Sequence, residues 1–249
     1  MFFFNDLPKP SSIGELAATR AVKRLNPKKP PTGSYPVFFD RRVSNSLIGH
    51  LTAAINGAAI CRGSSWLLNS LNKKILSDAL TLSEDPTRPK IAGSRPFDGE
   101  GLPTKRKNFI SNGILEKYVL DLRSSRKLNL NPSGNAYRSL SSSPVPGVGN
   151  LELTPGKHSH HEIITNIKQG LLVTSLIGST INNNTGDYSR GANGFWIENG
   201  EVVFPVNECT IAGNLKEMLL NLIAANDGQE HLSKVIPSLL VQNMIIAGK

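Results

Sequence analysis

The chain has 249 residues, 39% apolar and 19% charged, with 28 Lys+Arg against 19 Asp+Glu and a formal charge of +9. A disordered chain would be poorer in apolar and richer in charged residues, so a folded unit with a sizeable core is expected. No apolar run reaches the ~18 residues that span a bilayer, and Asn5, Asp6 and Pro8 interrupt the opening Met1-Phe2-Phe3-Phe4, so neither a membrane helix nor a secretory signal is expected. The basic residues stand in short scattered groups such as Lys23-Arg24, Arg41-Arg42 and Lys105-Arg106-Lys107, without interleaved aromatics. That pattern is a solvated basic surface rather than a platform for nucleic acid. Cys61 and Cys209 make no disulfide framework and read as small buried hydrophobes in a reducing compartment.

The first predicted element is an amphipathic helix over 11–25, with Ser11 or Ser12 as cap and Ile13, Leu16, Ala17, Ala21 and Leu25 at helical spacing. Arg20, Lys23 and Arg24 load its C-terminal half, which suits the helix dipole. Pro27, Pro30 and Pro31 stop it, so residues 1–35 read as a lead-in and 36–249 as a domain opening on the strand Val37-Phe38-Phe39. A second helix is predicted over 43–59, with Leu47, His50, Leu51, Ala54 and Ala58 on one face. Gly49 and Gly57 within it each cost about 1 kcal/mol relative to Ala and imply close approach of another backbone.

Further on, Phe109-Ile110 and Ile114-Leu115 flank Ser111-Asn112-Gly113 as a hairpin, with Tyr118-Val119-Leu120 extending its second strand. Residues 131–150 form a Ser/Pro/Gly-rich loop. Ser159 and Glu162 make a capping box for a helix carrying Ile163, Ile164 and Ile167. A buried strand over 171–174 follows, then a hairpin over 195–204 whose Asn199-Gly200 suits a type I′ turn. A helix over 214–225 and a closing strand Met244-Ile245-Ile246 complete an α+β, β-rich fold of antiparallel hairpins and a few packed helices.

Few residues look like chemistry. His158, His160, His161 and Glu162 are badly spaced for a metal, because adjacent histidines on a helix point about 100° apart. They read as a surface loop entering a helix. The stretch 185–194 reads as a Gly-punctuated loop carrying Asp187, Tyr188 and Arg190, with no phosphate-loop spacing and an Asp–Arg contact holding its turn. His50, on an apolar helix face, can be set against the zinc-peptidase pattern HExxxH. Asn45 then falls on the first histidine and Ser46 on the glutamate, and only His50 remains.

Three stretches, GHLTAAINGAAICRGSSWL (49–67), SRPFDGEG (94–101) and TGDYSRGANGFWIENGEVVFPVNECTIAGNLKEML (185–219), resemble the C-terminal domain of the TldD/PmbA (TldE) family of bacterial peptidase-related proteins. The resemblance runs from about residue 11 to the end, and is to the PmbA/TldE branch. In the catalytic branch two histidines and a later cysteine hold zinc. Carried over, the two histidines fall on Asn45 and His50 and the cysteine near Ile236, with Ser46 in place of the base. Another departure is Asn135, where the family often has a histidine.

The resemblance implies a cytoplasmic, non-zinc subunit that works with a TldD-like catalytic partner on unfolded peptides, in degradation or in peptide maturation. It implies no cofactor in this chain and zinc in the partner. Asp187 and Arg190 are the candidates for peptide binding or assembly, and strand edges would take extended peptides. It also implies that the family's N-terminal α/β domain is absent. Two alternatives remain at this point: a non-functional remnant of the family, and a basic nucleic-acid-binding module.

Overall fold

The computed structural model describes residues 7–248. Its first elements are α1 (Pro10–Val22), β1 (Gly33–Phe39), α2 (Arg41–Ala54), α3 (Gly57–Arg62) and β2 (Leu82–Glu84). The middle contributes β3 (Lys107–Ser111), β4 (Ile114–Leu115), α4 (Leu122–Leu128), β5 (Ala136–Tyr137), β6 (Val145–Pro146) and β7 (Leu151–Leu153). Then come α5 (His160–Thr165), β8 (Gln169–Ile181), β9 (Asp187–Glu198), β10 (Glu201–Asn214), α6 (Leu215–Leu220), β11 (Ile223–Ala224), β12 (Lys234–Val235) and β13 (Leu239–Ala247). The fold is α+β and strand-rich, as the sequence predicts.

The main sheet closes on itself. Ladders run from β1 to β8, β9, β10 and β13, and β13 pairs back onto β1. Only β1–β8 is parallel within this ring, with Val37 opposite Leu171 and Phe39 opposite Val173. β11 occupies the half of β13 that β10 leaves unpaired. A second sheet runs β12-β7-β2-β3-β4.

Strand alternation divides the interior. Val37, Phe39, Leu171 and Val173 point into the large core, with Leu47, Ile48 and Leu51 of α2 and Leu215 and Leu219 of α6. Phe38, Leu172 and Ile197 point the other way, into a smaller cluster closed by Ile163, Ile164 and Ile167 of α5 and its C-terminal side.

Both predicted hairpins form. Asn112 and Gly113 turn β3 into β4, and Asn199 and Gly200, at φ 51° and 82°, turn β9 into β10 with Glu198 opposite Glu201. Other expectations need correction. The single helix over 43–59 is two, because the Asn56 side chain accepts from Ala58 N at 2.9 Å and caps α3 as a new start. The helix over 214–225 stops at Leu220, and Ile223–Ala224 joins β13 instead. Tyr118–Leu120 does not extend β4. Val119 instead pairs with the break between α2 and α3 through Ile55 O and Gly57 N. The loop over 131–150 contains the small ladder β5–β6.

Neither predicted serine caps α1. Lys9 is the cap residue, with Pro10 in the first turn and Ser12 Oγ donating back to Lys9 O. α1 buries no residue. Its Ile13 and Leu16 are about half exposed, and Arg24 ties the segment that follows it to β8 by donating to Thr174 Oγ1 at 2.9 Å. Among the described residues no helix is long and apolar enough to cross a membrane.

Candidate functional site

α2 organises the site. It follows β1 with Asp40 alone between them, and Asp40 caps it by accepting from Arg42 N at 3.0 Å while pairing with Arg42 Nε at 2.7 Å. These contacts hold the Asp40 carboxyl below its usual pKa against the opposing effect of burial. The helix buries Ser44, Leu47, Ile48, Leu51 and Ala54 toward the sheet. Asn45, Ser46, Gly49 and His50 are left half exposed beside that stripe. Gly49 does not mark a close approach, since a Cβ there would meet nothing within 4 Å. Gly57 does, but against side chains: a Cβ would lie 2.6 Å from Ser124 Oγ and 2.7 Å from Leu120 Cδ2.

The residues set against the HExxxH pattern separate into two places. Asn45 lines a cavity of about 300 Å³ with Ile236, Arg41, Arg42, Gln229 and Lys234, and its buried Oδ1 has no hydrogen-bond partner. Ser46 Oγ donates to Val43 O at 2.7 Å, so its hydroxyl is tied to its own helix. His50 faces the other way along the helix surface, its ring edge-on to Tyr188 at 6.0 Å. Burial, and then the Arg190 charge, lower the His50 pKa, which keeps the ring neutral near pH 7. His50 Nε2 is buried without a partner.

The stretch 185–194 is strand from Asp187 onward, not loop, and the predicted Asp–Arg contact is replaced by separate anchors. Asp187 accepts from Thr185 Oγ1 at 2.6 Å and from Asn214 Nδ2 at 3.0 Å, and these bonds hold its pKa down. Arg190 Nε donates to Gly178 O on β8 at 2.8 Å. Strand periodicity explains the split: residues 188 and 190 share a face and residue 187 takes the other. Tyr188, which composition alone does not single out, is the buried member of that face, and burial pushes its phenol up to about 12. Its signal in the sequence is its place two residues before Arg190 in a strand.

Elsewhere the predicted capping box forms, with Ser159 Oγ accepting from Glu162 N and Glu162 Oε2 from Ser159 N. His160 packs on Phe38 at 4.8 Å, and burial lowers its pKa. Cys209 is buried with its thiol pushed up to about 11, whereas Cys61 is only half buried. A network the sequence reading missed lies in the second sheet. Lys107 Nζ pairs with Glu84 Oε2 at 3.1 Å, with both side chains buried, and also donates to Asn135 Oδ1 at 2.9 Å. Asn135 Nδ2 in turn donates to Glu84 Oε2 at 2.7 Å.

A peptidase zinc needs histidine, cysteine or carboxylate donors. The positions matched to those ligands offer an amide, an aliphatic chain and one imidazole turned toward Tyr188. Among the described residues no three His, Cys, Asp or Glu side chains gather as a metal site requires. Arg41, Arg42 and Lys234 also surround the cavity that Asn45 and Ile236 share, and no carboxylate lines it. Like unit charges 4 Å apart repel by about 1 kcal/mol in bulk water and ~4 kcal/mol at an effective dielectric constant near 20. A divalent cation does not fit this donor set.

The strand-rich fold, with its helix laid across a closed sheet, is that of a peptidase-family C-terminal domain. The family model for the PmbA/TldA metallopeptidase C-terminal domain matches residues 32–248, and the chain belongs to this family. It is 41% identical over 246 residues to metalloprotease PmbA of Escherichia coli, covering 98% of this chain and 53% of that protein. A crystal structure from Bacteroides thetaiotaomicron, described as a candidate modulator of DNA gyrase, superposes with a TM-score of 0.90 at 35% identity, covering 99% of this chain and 54% of that one. TldE from Thermococcus kodakarensis superposes with a TM-score of 0.84 at 26% identity, covering 96% and 55%. The chain thus spans about half the length of the relatives it matches.

Proposed function

We propose that this chain is a non-catalytic, PmbA/TldE-type subunit of a cytoplasmic peptidase assembly that acts on unfolded peptides, with zinc carried by a TldD-like partner. One observation carries the reading: of the three positions matched to the zinc ligands, Asn45 and Ile236 share a cationic cavity while His50 stands apart against Tyr188, and Ser46, in the place of the base, is bonded to Val43 O. No side chain there can take a proton from a metal-bound water. The likeness to TldE supports the same branch. This chain's contribution is architectural. It supplies packed surface and strand for an extended peptide, while Asp187 and Arg190, each anchored to neighbouring backbone or side chains, are the candidates for peptide or partner contact.

The test mixes this chain with a TldD-like subunit and follows hydrolysis of an unstructured peptide, with each chain alone as control and metal content measured by elemental analysis. Hydrolysis is expected only in the mixture, with no stoichiometric zinc on this chain. Under this reading His50→Ala leaves the mixed activity within a few-fold, and Asp187→Ala or Arg190→Ala lowers it. Chelator-sensitive hydrolysis by this chain alone would refute the proposal.

A further inference from the structure

We propose that the cavity holding Asn45 and Ile236 is a carboxylate-binding site that receives the C-terminal end of a bound peptide. The inference rests on the subunit reading above and assigns a ligand to the cavity that two of the three matched positions share.

Three features of the cavity carry it. First, the charge there has one sign. Arg41, Arg42 and Lys234 line about 300 Å³ that no Asp or Glu lines. The neighbouring cavity, about 430 Å³, shares Arg41 and Arg42 but is also lined by Asp40 and Asp227, so its field is partly cancelled. Asp40 is the carboxylate that pairs with Arg42, and it lies on that other side. Second, the wall carries an amide. Asn45 lines the cavity, and its NH₂ can donate to an acceptor ligand there. An oxyanion is the ligand that satisfies both the amide and the cations. Third, the size and the remaining walls suit a chain end rather than a bare ion. Gln229 adds a second amide, and Ile236, buried at 5% exposure, gives an apolar surface for a terminal side chain. Arg42 is already paired with Asp40, so Arg41 and Lys234 are the cations left to meet a carboxylate, and a guanidinium can grip one with paired N–H···O bonds.

A free phosphate has the same oxyanion chemistry, so the experiment separates the two sources. The 249-residue chain is titrated calorimetrically with an unstructured peptide ending in a free carboxylate, with the same peptide as its C-terminal amide, and with inorganic phosphate. The acid is expected to bind at least about tenfold tighter than the amide, and phosphate to compete only weakly. The double variant Arg41→Gln/Lys234→Gln should bring the acid to the affinity of the amide and leave the amide unchanged. Arg62→Gln, on the exposed surface of α3, should change neither. Circular dichroism of each variant guards against misfolding, and Lys234→Gln alone gives a milder step in the same direction.

Equal binding of acid and amide overturns the carboxylate site while leaving the subunit reading intact, since the amide reports peptide binding by itself. A preference for acid that survives the double variant also overturns it. Phosphate displacing the acid at lower concentration than the peptide itself overturns the peptide as source. No binding of either peptide, together with no hydrolysis in the mixed assay, overturns both proposals.

Discussion

Tyr188 of β9 is buried beside His50 of α2, and burial pushes its pKa up to about 12 against the opposing effect of Arg190. An unfolded tyrosine ionises near pH 10, so between those values the folded chain holds a proton that the unfolded chain has lost. Stability contributed by this group is therefore complete below about pH 10 and falls as pH rises toward 12, by on the order of 2 kcal/mol. Tyr188→Phe should remove that alkaline loss, and at neutral pH it should shift stability by at most about 1.5 kcal/mol, the net worth of a single hydrogen bond to the neighbouring Arg190. Urea midpoints of parent and variant at neutral pH and at about pH 11 check both statements. The buried pair Glu84–Lys107 behaves differently, because removing one member leaves the other charged and dry. Glu84→Gln should cost about 3–5 kcal/mol in denaturant titrations. An effect under 1 kcal/mol would show that water reaches Lys107.

Neither of these residues was legible from the sequence. Lys107 stands in a run of three basic residues that reads as surface, and its partner Glu84 is remote in sequence; only the β2–β3 ladder, with Glu84 opposite Lys107, brings them together. Asn45, Ser46 and His50 were legible as a degenerate pattern. That Asn45 shares a cavity with Ile236 while His50 meets Tyr188 depended on how α2 lies across the sheet.

Among the elements, the hairpins were legible because a turn is decided by a few adjacent residues. Gly200 is required twice over. Its φ of 82° is strained for any residue with a Cβ, and a Cβ there would stand 2.6 Å from Thr165 O at the end of α5. Gly200→Val should destabilise by at least about 1–3 kcal/mol, read as a lowered midpoint. Gly49 is the contrasting case. It is helical and faces open space, so Gly49→Ala should raise stability by up to about 1 kcal/mol. A drop on Gly49→Ala would mean that the exposed face of α2 is occupied in solution. Helix ends were less legible: apolar spacing continues through Ile55 and through Leu222, and what ends each helix is a cap or a strand partner far away in sequence. The exposure of α1 was not legible at all, since its periodicity shows an apolar stripe and nothing of what lies beneath it.

For the whole molecule, the governing feature is the ring of five strands. Hairpin patterning showed β9–β10 but not closure, because closure depends on β1 and β13, where Phe39 meets Leu239 from the opposite end of the chain. The ring's one parallel ladder, β1–β8, likewise joins strands with most of the second sheet between them in sequence. Closure has a consequence in time. A ribosome releases β1 well before β13, so in that interval the apolar strand Val37-Phe38-Phe39 waits with an unclaimed edge, the kind of edge that recruits foreign strands. Only when β13 emerges is that edge claimed. The nascent protein therefore passes through a long vulnerable interval in which a holding chaperone has a defined strand to shield.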